Sequence, residues 1–143
     1  MYKYSVTSEE KLKHAHPNLQ SFFKELIKIT PYDIGIGEVL RTAKKQNSYY
    51  QQGRTKKGSI ITYRDGYKSK SEHQEHSDGY SHAVDIFIYS KDYKKILWDI
   101  RIFREIVCNW KVRKLMQKYG IEWGGDWEKP EDAPHFQIRK GVW

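Results

Sequence analysis

Residues 70–89 read KSEHQEHSDGYSHAVDIFIY, and the way this stretch folds decides how the rest of the chain must be arranged around it. Its last third alternates with the period of a strand. Val84, Ile86 and Ile88 fall on one face, and Ala83, Asp85, Phe87 and Tyr89 on the other. The alternation carries Asp85 into an apolar environment, where a carboxylate is too costly to leave without a cation, a dense set of hydrogen bonds or a metal. Upstream in the same stretch stand His73, His76 and His82. Toward the other end of the chain, Asp132-Ala-Pro-His135-Phe-Gln-Ile sets a further histidine on a second short apolar strand, just after another carboxylate. Two imidazoles, one carboxylate and a spare acid are the parts of a catalytic zinc site: three protein ligands, an open position for water, and a general base.

The chain of 143 residues is long enough to bury a core as a single domain, with no repeat or linker. Cys108 is the only cysteine, so an internal disulfide is excluded, and its setting among Ile106, Val107 and Trp110 predicts a buried, inert thiol. The N-terminus lacks the apolar core of a signal peptide, and no window reaches the roughly 18 apolar residues of a membrane span. A soluble protein with no export signal and no membrane insertion is expected. The formal charge of +8 draws such a surface to polyanions, whether nucleic acid, anionic membrane or acidic wall polymers. The clusters at Lys56-Lys57, Lys91–Lys95 and Arg101–Lys118 read first as solvated faces.

Thr7-Ser8-Glu9-Glu10 has the form of a capping box opening a short helix. A second helix is expected from Pro17 or Asn18 to about Thr30, its apolar face formed by Leu19, Phe22, Phe23, Leu26 and Ile27. His14 and His16, at the junction, read as surface residues. Ile34–Leu40 reads as a short strand running into Arg41, Ala43–Gln52 as a turn or two of helix, and Ser59–Tyr63 as an extended run before an Asp65-Gly66 turn. Ser77–Tyr80 is a turn that folds 70–82 toward a hairpin. From Asp92 to Tyr119 the apolar spacing describes a long helix, or two with a break near Asp99, capped by Gly120. Ile121–Trp123 and Pro134–Ile138 are two more strands, separated by a loop over 124–130. This order predicts an α+β domain with a small, mainly antiparallel sheet and packed helices.

Several pieces taken together form a pattern. They are Ser71-Glu-His73, Ala83-Val-Asp85 and Asp132-Ala-Pro-His135, joined by Leu40-Arg41-Thr42 with Gln46, Gln52-Gly-Arg54-Thr55 with Gly58, and Trp123-Gly-Gly-Asp-Trp127. On these residues the chain resembles the zinc metallopeptidases of the D-Ala-D-Ala carboxypeptidase and hedgehog-like fold, and within them the L-alanyl-D-glutamate endopeptidases found as bacteriophage endolysins. The resemblance covers residues 17 to 138. The shorter spacing of the family pattern would put the first histidine at position 78, which here is Asp78. The segment QEHSDGYS therefore reads as a loop inserted between the ligands, with His73 as the first ligand and His76 as its rival. His82 is expected on the opposite face from Asp85, as a supporting or surface residue.

The resemblance implies Zn2+ held by His73, Asp85 and His135, with Asp132 as general base. Pro134 disfavours a helix there, so an extended turn lets the Asp132 carboxylate reach over the ion. It further implies that Arg41 binds substrate and developing negative charge, a task for a permanently cationic fork, and that Arg54 and Gln52 help hold substrate carboxylates. Trp123 and Trp127 are expected as walls. The implied substrate is the peptidoglycan stem peptide, cut between L-Ala and D-Glu. Anionic wall polymers are expected as partners through the basic surface, and neither a nucleic acid nor a separate wall-binding domain is expected. A monomer is expected, waiting in the cytoplasm until lysis. The same zinc chemistry on another bond, as a D-Ala-D-Ala carboxypeptidase or dipeptidase, is the nearest alternative. A non-catalytic basic nucleic-acid- or wall-binding protein is the other, though the chain offers no recognition-helix or finger spacing.

Overall fold

A computed structural model describes residues 1–128 and 131–140. Lys129 and Pro130, at the end of the loop expected over 124–130, lie outside the described residues. Among the described residues, five helices and five strands form an α+β arrangement, as the order of sequence patterns predicts.

Each helix starts at a side chain that satisfies an otherwise unpaired amide. Helix α1 (Val6–Leu12) is capped by Ser5, whose Oγ accepts from Ser8 N at 3.1 Å, not by the expected Thr7. The box is displaced because Ser8 is needed elsewhere: it is buried, and its Oγ accepts from Ile36 N at 3.0 Å. In α2 (Pro17–Ile29), Pro17 sits where no amide hydrogen is needed and His16 Nδ1 accepts from Asn18 N at 3.0 Å. His16 is thus a half-buried cap and not a purely surface residue. Thr42 caps α3 (Ala43–Gln51) through Lys45 N.

The expected break near Asp99 is corrected. Residues before Asp99 do not enter a helix; Ile96–Leu97 forms a short strand, and Asp99 is the cap of α4 (Ile100–Val107), accepting from Arg101 N at 2.9 Å. The break falls at Cys108 and Asn109, where Asn109 caps α5 (Trp110–Tyr119) and Gly120, at φ 68°, ends it. Apolar spacing alone runs through both junctions, and only the caps mark where the chain turns. The same break leaves Cys108 exposed, contrary to the expected burial, because it terminates α4 on the solvent side.

The sheet orders its strands β1 (Ile34–Ile36), β2 (Ala83–Tyr89), β5 (His135–Ile138) and β4 (Ile121–Trp123), with β3 (Ile96–Leu97) also against β2, and every pairing is antiparallel. Strand β2 is the hub, meeting β5 over Ala83–Asp85 and β1 over Ile86–Ile88. Beyond Ile36 the chain leaves regular strand geometry but stays tied to β2, with Gly37 N donating to Asp85 O and Asp85 N to Glu38 O. Val84, Ile86 and Ile88 face the core with Leu19, Phe22, Phe23 and Leu26 of α2. Phe22, Phe23 and Phe136 pack edge-on or tilted, centroids 5.0 to 5.9 Å apart. This apolar face fixes the β2 register, because a one-residue slip would turn Asp85 inward.

Two stretches stay irregular. Residues 59–63 form no strand and run along the edge of a cleft. The 70–82 loop folds back as expected at its turn, with His76 N donating to Tyr80 O and His82 N to Glu72 O, but it forms no hairpin ladder. No helix among the described residues is long and apolar enough to cross a membrane.

Candidate functional site

Because Asp85 pairs directly with His135 in the β2–β5 register, the two side chains rise from the same face of the sheet. Asp85 therefore lies on the face opposite Val84, Ile86 and Ile88, as the alternation predicts, and points half-buried into a cleft lined by polar as well as apolar side chains. The long loop brings His73 to the same point. Asp85 Oδ1 lies 3.1 Å from His135 Nδ1 and 3.3 Å from His73 Nε2. The two rings are 5.1 Å apart and nearly perpendicular. One ligand atom from each of His73, Asp85 and His135 falls within 4.8 Å of the others, so the trio could hold a metal ion. His76 is not part of it, which leaves His73 as the histidine of the 70–82 loop at this point.

The outer partners of the rings fix which nitrogen faces the shared point. His73 Nδ1 lies 2.9 Å from the carbonyl of Val39, which can only accept, so the proton sits on Nδ1 and the lone pair on Nε2. That Nε2 is buried and has no hydrogen-bond partner among the described residues, a costly state that a bound cation would relieve. His135 is turned the other way round, with Nε2 2.8 Å from Gln137 Oε1. The Gln137 amide is oriented in turn by donating from Nε2 to Glu122 Oε1 at 2.6 Å. His135 thus presents Nδ1. Outer partners of this kind are what hold metal-ligating imidazoles in one tautomer. The donor set of two neutral nitrogens and a carboxylate suits zinc.

Charge follows the same geometry. Burial alone would raise the Asp85 carboxyl, but the close approach of the His135 and His73 imidazoles outweighs it and holds it far below the usual carboxylate range. Burial opposes the cationic form of His135, yet Asp85, Gln137 and Asp132 together raise its pKa. Asp132 stands at the rim, half-exposed, with Oδ2 3.9 Å from His135 Nδ1. Loss of surrounding water, reinforced by the Asp85 charge, lifts its carboxyl above the ordinary value despite the pull of His135, His73 and Arg41. Its backbone is an extended turn, with His135 N donating to Asp132 O and Asp132 N to Gly124 O, as Pro134 demands.

Arg41 reaches the cleft with its charge already matched. Its Nε and Nη2 fork onto Glu38 at 2.9 Å each, Nη1 donates to Gln46 Oε1 at 2.7 Å, and Nη2 lies 3.9 Å from Asp85 Oδ2. The guanidinium lies over the Tyr49 ring at 4.8 Å. Glu38 responds as expected: burial would raise its carboxyl, but the Arg41 fork lowers it. Arg54 and Gln52 are not in the cleft. Gln52 Nε2 donates to Ser59 O at 3.1 Å, and Arg54 donates to Tyr50 O and Thr62 O and lies over the Tyr50 ring. They brace residues 59–62, of which Ile60, Ile61 and Thr62 line the cleft.

The cleft encloses about 660 Å³, within the range of about 300 to 1,000 Å³ that takes a small ligand or a short peptide segment. Trp127 forms one wall, its ring 5.3 Å from that of His135, and Tyr49, Ile61 and Tyr63 belong to the rest of the lining. Trp123 lies in the core, its indole NH donating to Ala133 O at 2.7 Å, and is not a cleft wall. His82 is also placed differently from a surface reading: it is fully buried, because the folded loop closes over it.

Glu38, Gln137 and Glu122 escaped the sequence reading. Gln137 was within reach of it, because a residue two along a strand shares the face of His135. Glu38 was not, since its role depends on where Arg41 turns.

The fold and site define a class, the α+β domains with a small antiparallel sheet beside an open cleft in which two imidazoles and a carboxylate could hold a metal ion. The chain belongs to the phage L-alanyl-D-glutamate peptidase family, whose model it matches over residues 1–142. It is 37% identical over 109 residues to the peptidoglycan L-alanyl-D-glutamate endopeptidase CwlK of Bacillus subtilis (strain 168), a match covering 74% of this chain and 60% of that protein. The match thus spans less than two thirds of the relative. The crystal structure of the Serratia marcescens L-Ala D-Glu endopeptidase ChiX shares the fold, with a TM-score of 0.66 at 22% identity over 95% of this chain and 90% of that one.

Proposed function

We propose that this chain is a zinc-dependent peptidoglycan hydrolase that cuts the stem peptide between L-Ala and D-Glu. The observation that carries the reading is the convergence of His73 Nε2 and His135 Nδ1 on Asp85 Oδ1, with each opposite ring nitrogen held by a fixed acceptor. Family membership and the name of the Bacillus subtilis relative support the choice of bond.

In this reading His73, Asp85 and His135 hold the zinc. When bound, the ion supplies Lewis-acid polarisation of the scissile carbonyl and activation of water. Asp132 takes the proton from the attacking water and returns it to the leaving amine, a role helped by a carboxyl whose pKa lies above the ordinary value. Arg41 presents the cationic edge nearest Asp85, and Glu38, Gln46 and Tyr49 keep that edge from swinging away. Trp127 and the 59–63 segment confine the peptide. The excess of basic residues attracts anionic wall polymers.

The test combines metal analysis with product analysis. His73→Ala is expected to lose both zinc and wall lysis, while Asp132→Ala keeps zinc and loses lysis. Digested peptidoglycan is expected to show new C-terminal L-Ala and new N-terminal D-Glu. Release of terminal D-Ala instead would assign the same chemistry to a carboxypeptidase. Wall digestion that survives removal of metal by a chelator would end the reading.

A further inference from the structure

The 70–82 loop carries a second set of donors. Glu72, His76 and His82 each bring one ligand atom within 4.8 Å of the other two, and none of the three belongs to the first trio. His82 is completely buried, and its Nε2 lies 2.7 Å from Asp78 Oδ2. A carboxylate only accepts, so Nε2 carries the proton and the lone pair is on Nδ1. An imidazole held through one nitrogen by a carboxylate is the usual setting of a metal-ligating histidine. His76 Nε2 lies 3.3 Å from Glu72 Oε2, and its ring is parallel to that of His82 at 3.6 Å. The backbone around these donors is closed by His82 N to Glu72 O at 2.9 Å and Gly79 N to His76 O at 2.9 Å. The donors are therefore gathered by a folded loop and are not scattered along a loose one.

We propose that Glu72, His76 and His82 form a second divalent-cation site, of the borderline class that includes zinc, with Asp78 as the carboxylate that orients His82. Two imidazoles and one carboxylate favour such an ion over calcium or magnesium, which take oxygen ligands. Parallel rings aim their lone pairs side by side and not at one point. Uptake of the ion therefore turns the half-buried His76 ring out of the stack while buried His82 stays in place. The same segment carries His73, whose backbone O accepts from Arg41 N at 3.0 Å, so an ion at the second site also stiffens the approach to the first. The site stands independently of the proposed reaction.

The experiment titrates metal-free protein with Zn2+ by calorimetry. Wild type is expected to take two equivalents, His76→Ala one, His73→Ala one, and the double variant none. In the His73→Ala background, zinc at ten times its dissociation constant is expected to slow amide exchange over residues 74–82 about tenfold, and the double variant is expected to show no slowing. Should His76→Ala fail to fold by circular dichroism, Glu72→Ala is expected to lose the same equivalent. A wild type that takes one equivalent, kept in His76→Ala and lost in His73→Ala, overturns the proposal. One equivalent lost in His76→Ala and kept in His73→Ala supports it and instead removes the metal from the cleft.

Discussion

Gly124→Ala tests how tightly the rim acid must be placed. Gly124 opens the 3-10 turn Gly124–Asp126 and has no positive φ, so alanine fits its backbone and only the new methyl group matters. A Cβ there would stand 2.3 Å from Asp132 O and 3.1 Å from Asp132 Cβ, and an ordinary contact begins near 3.4 Å, so the Asp132 carbonyl must retreat by about 1.1 Å. That carbonyl accepts from His135 N, and Asp132 N donates to Gly124 O, so the displacement is transmitted to the carboxylate and not absorbed by a loose loop. A misplacement of about 1 Å in a catalytic group costs on the order of 10²-fold in rate, equivalent to about 2.7 kcal/mol of barrier. The trio His73, Asp85 and His135 is held by the β2–β5 register and by Val39 and Gln137, whereas the three atoms nearest the new methyl all belong to Asp132. The assay measures kcat on a soluble stem peptide beside zinc content. The expected result is kcat lowered about 10²-fold with zinc retained. A folded variant with wild-type kcat, or one whose loss is wholly accounted for by missing zinc, would refute this account of Asp132.

Three further outcomes follow from the same geometry. Gln137→Leu removes the acceptor that holds His135 Nε2 and is expected to weaken zinc binding about 10- to 100-fold in a chelator competition, with the fold unchanged; undiminished affinity would show that the Glu122–Gln137–His135 chain does not orient the ring. Raising salt is expected to release the protein from isolated walls far more than it slows cleavage of a short soluble peptide, and equal loss of both would exclude charge as the anchor. Asp99, cap of α4, has its carboxyl lowered to about 2 by the Arg101 side-chain and backbone hydrogen bonds. A depressed folded pKa means the stabilisation is present above the ordinary carboxylate value and lost as pH falls toward 2. The gap in Tm between wild type and Asp99→Ala is accordingly expected to be widest above pH about 4 and to close below it, and a gap indifferent to pH would count against the cap.

The elements written in short-range terms were legible in the sequence. Alternation marked β2 at Ala83–Tyr89, and the spacing of Leu19, Phe22, Phe23, Leu26 and Ile27 marked the buried face of α2. Asp85 and His135 were legible as a carboxylate and an imidazole on apolar strands that called for a third partner, while the preference for His73 over His76 came from the family resemblance. The tertiary structure alone decided what depends on distant neighbours. It chose His73 over His76 by pinning Nδ1 to Val39 O, sent Arg54 and Gln52 to brace the 59–62 segment, and matched Arg41 to Glu38. It moved the helix break from Asp99 to Cys108 and Asn109, since Ile96 and Leu97 gained strand partners in β2 that no local pattern announces. Periodicity and capping act within a few residues and are written in the chain. Register, burial and hydrogen-bond partnership are set by segments tens of residues apart, and they exist only once the chain has closed on itself.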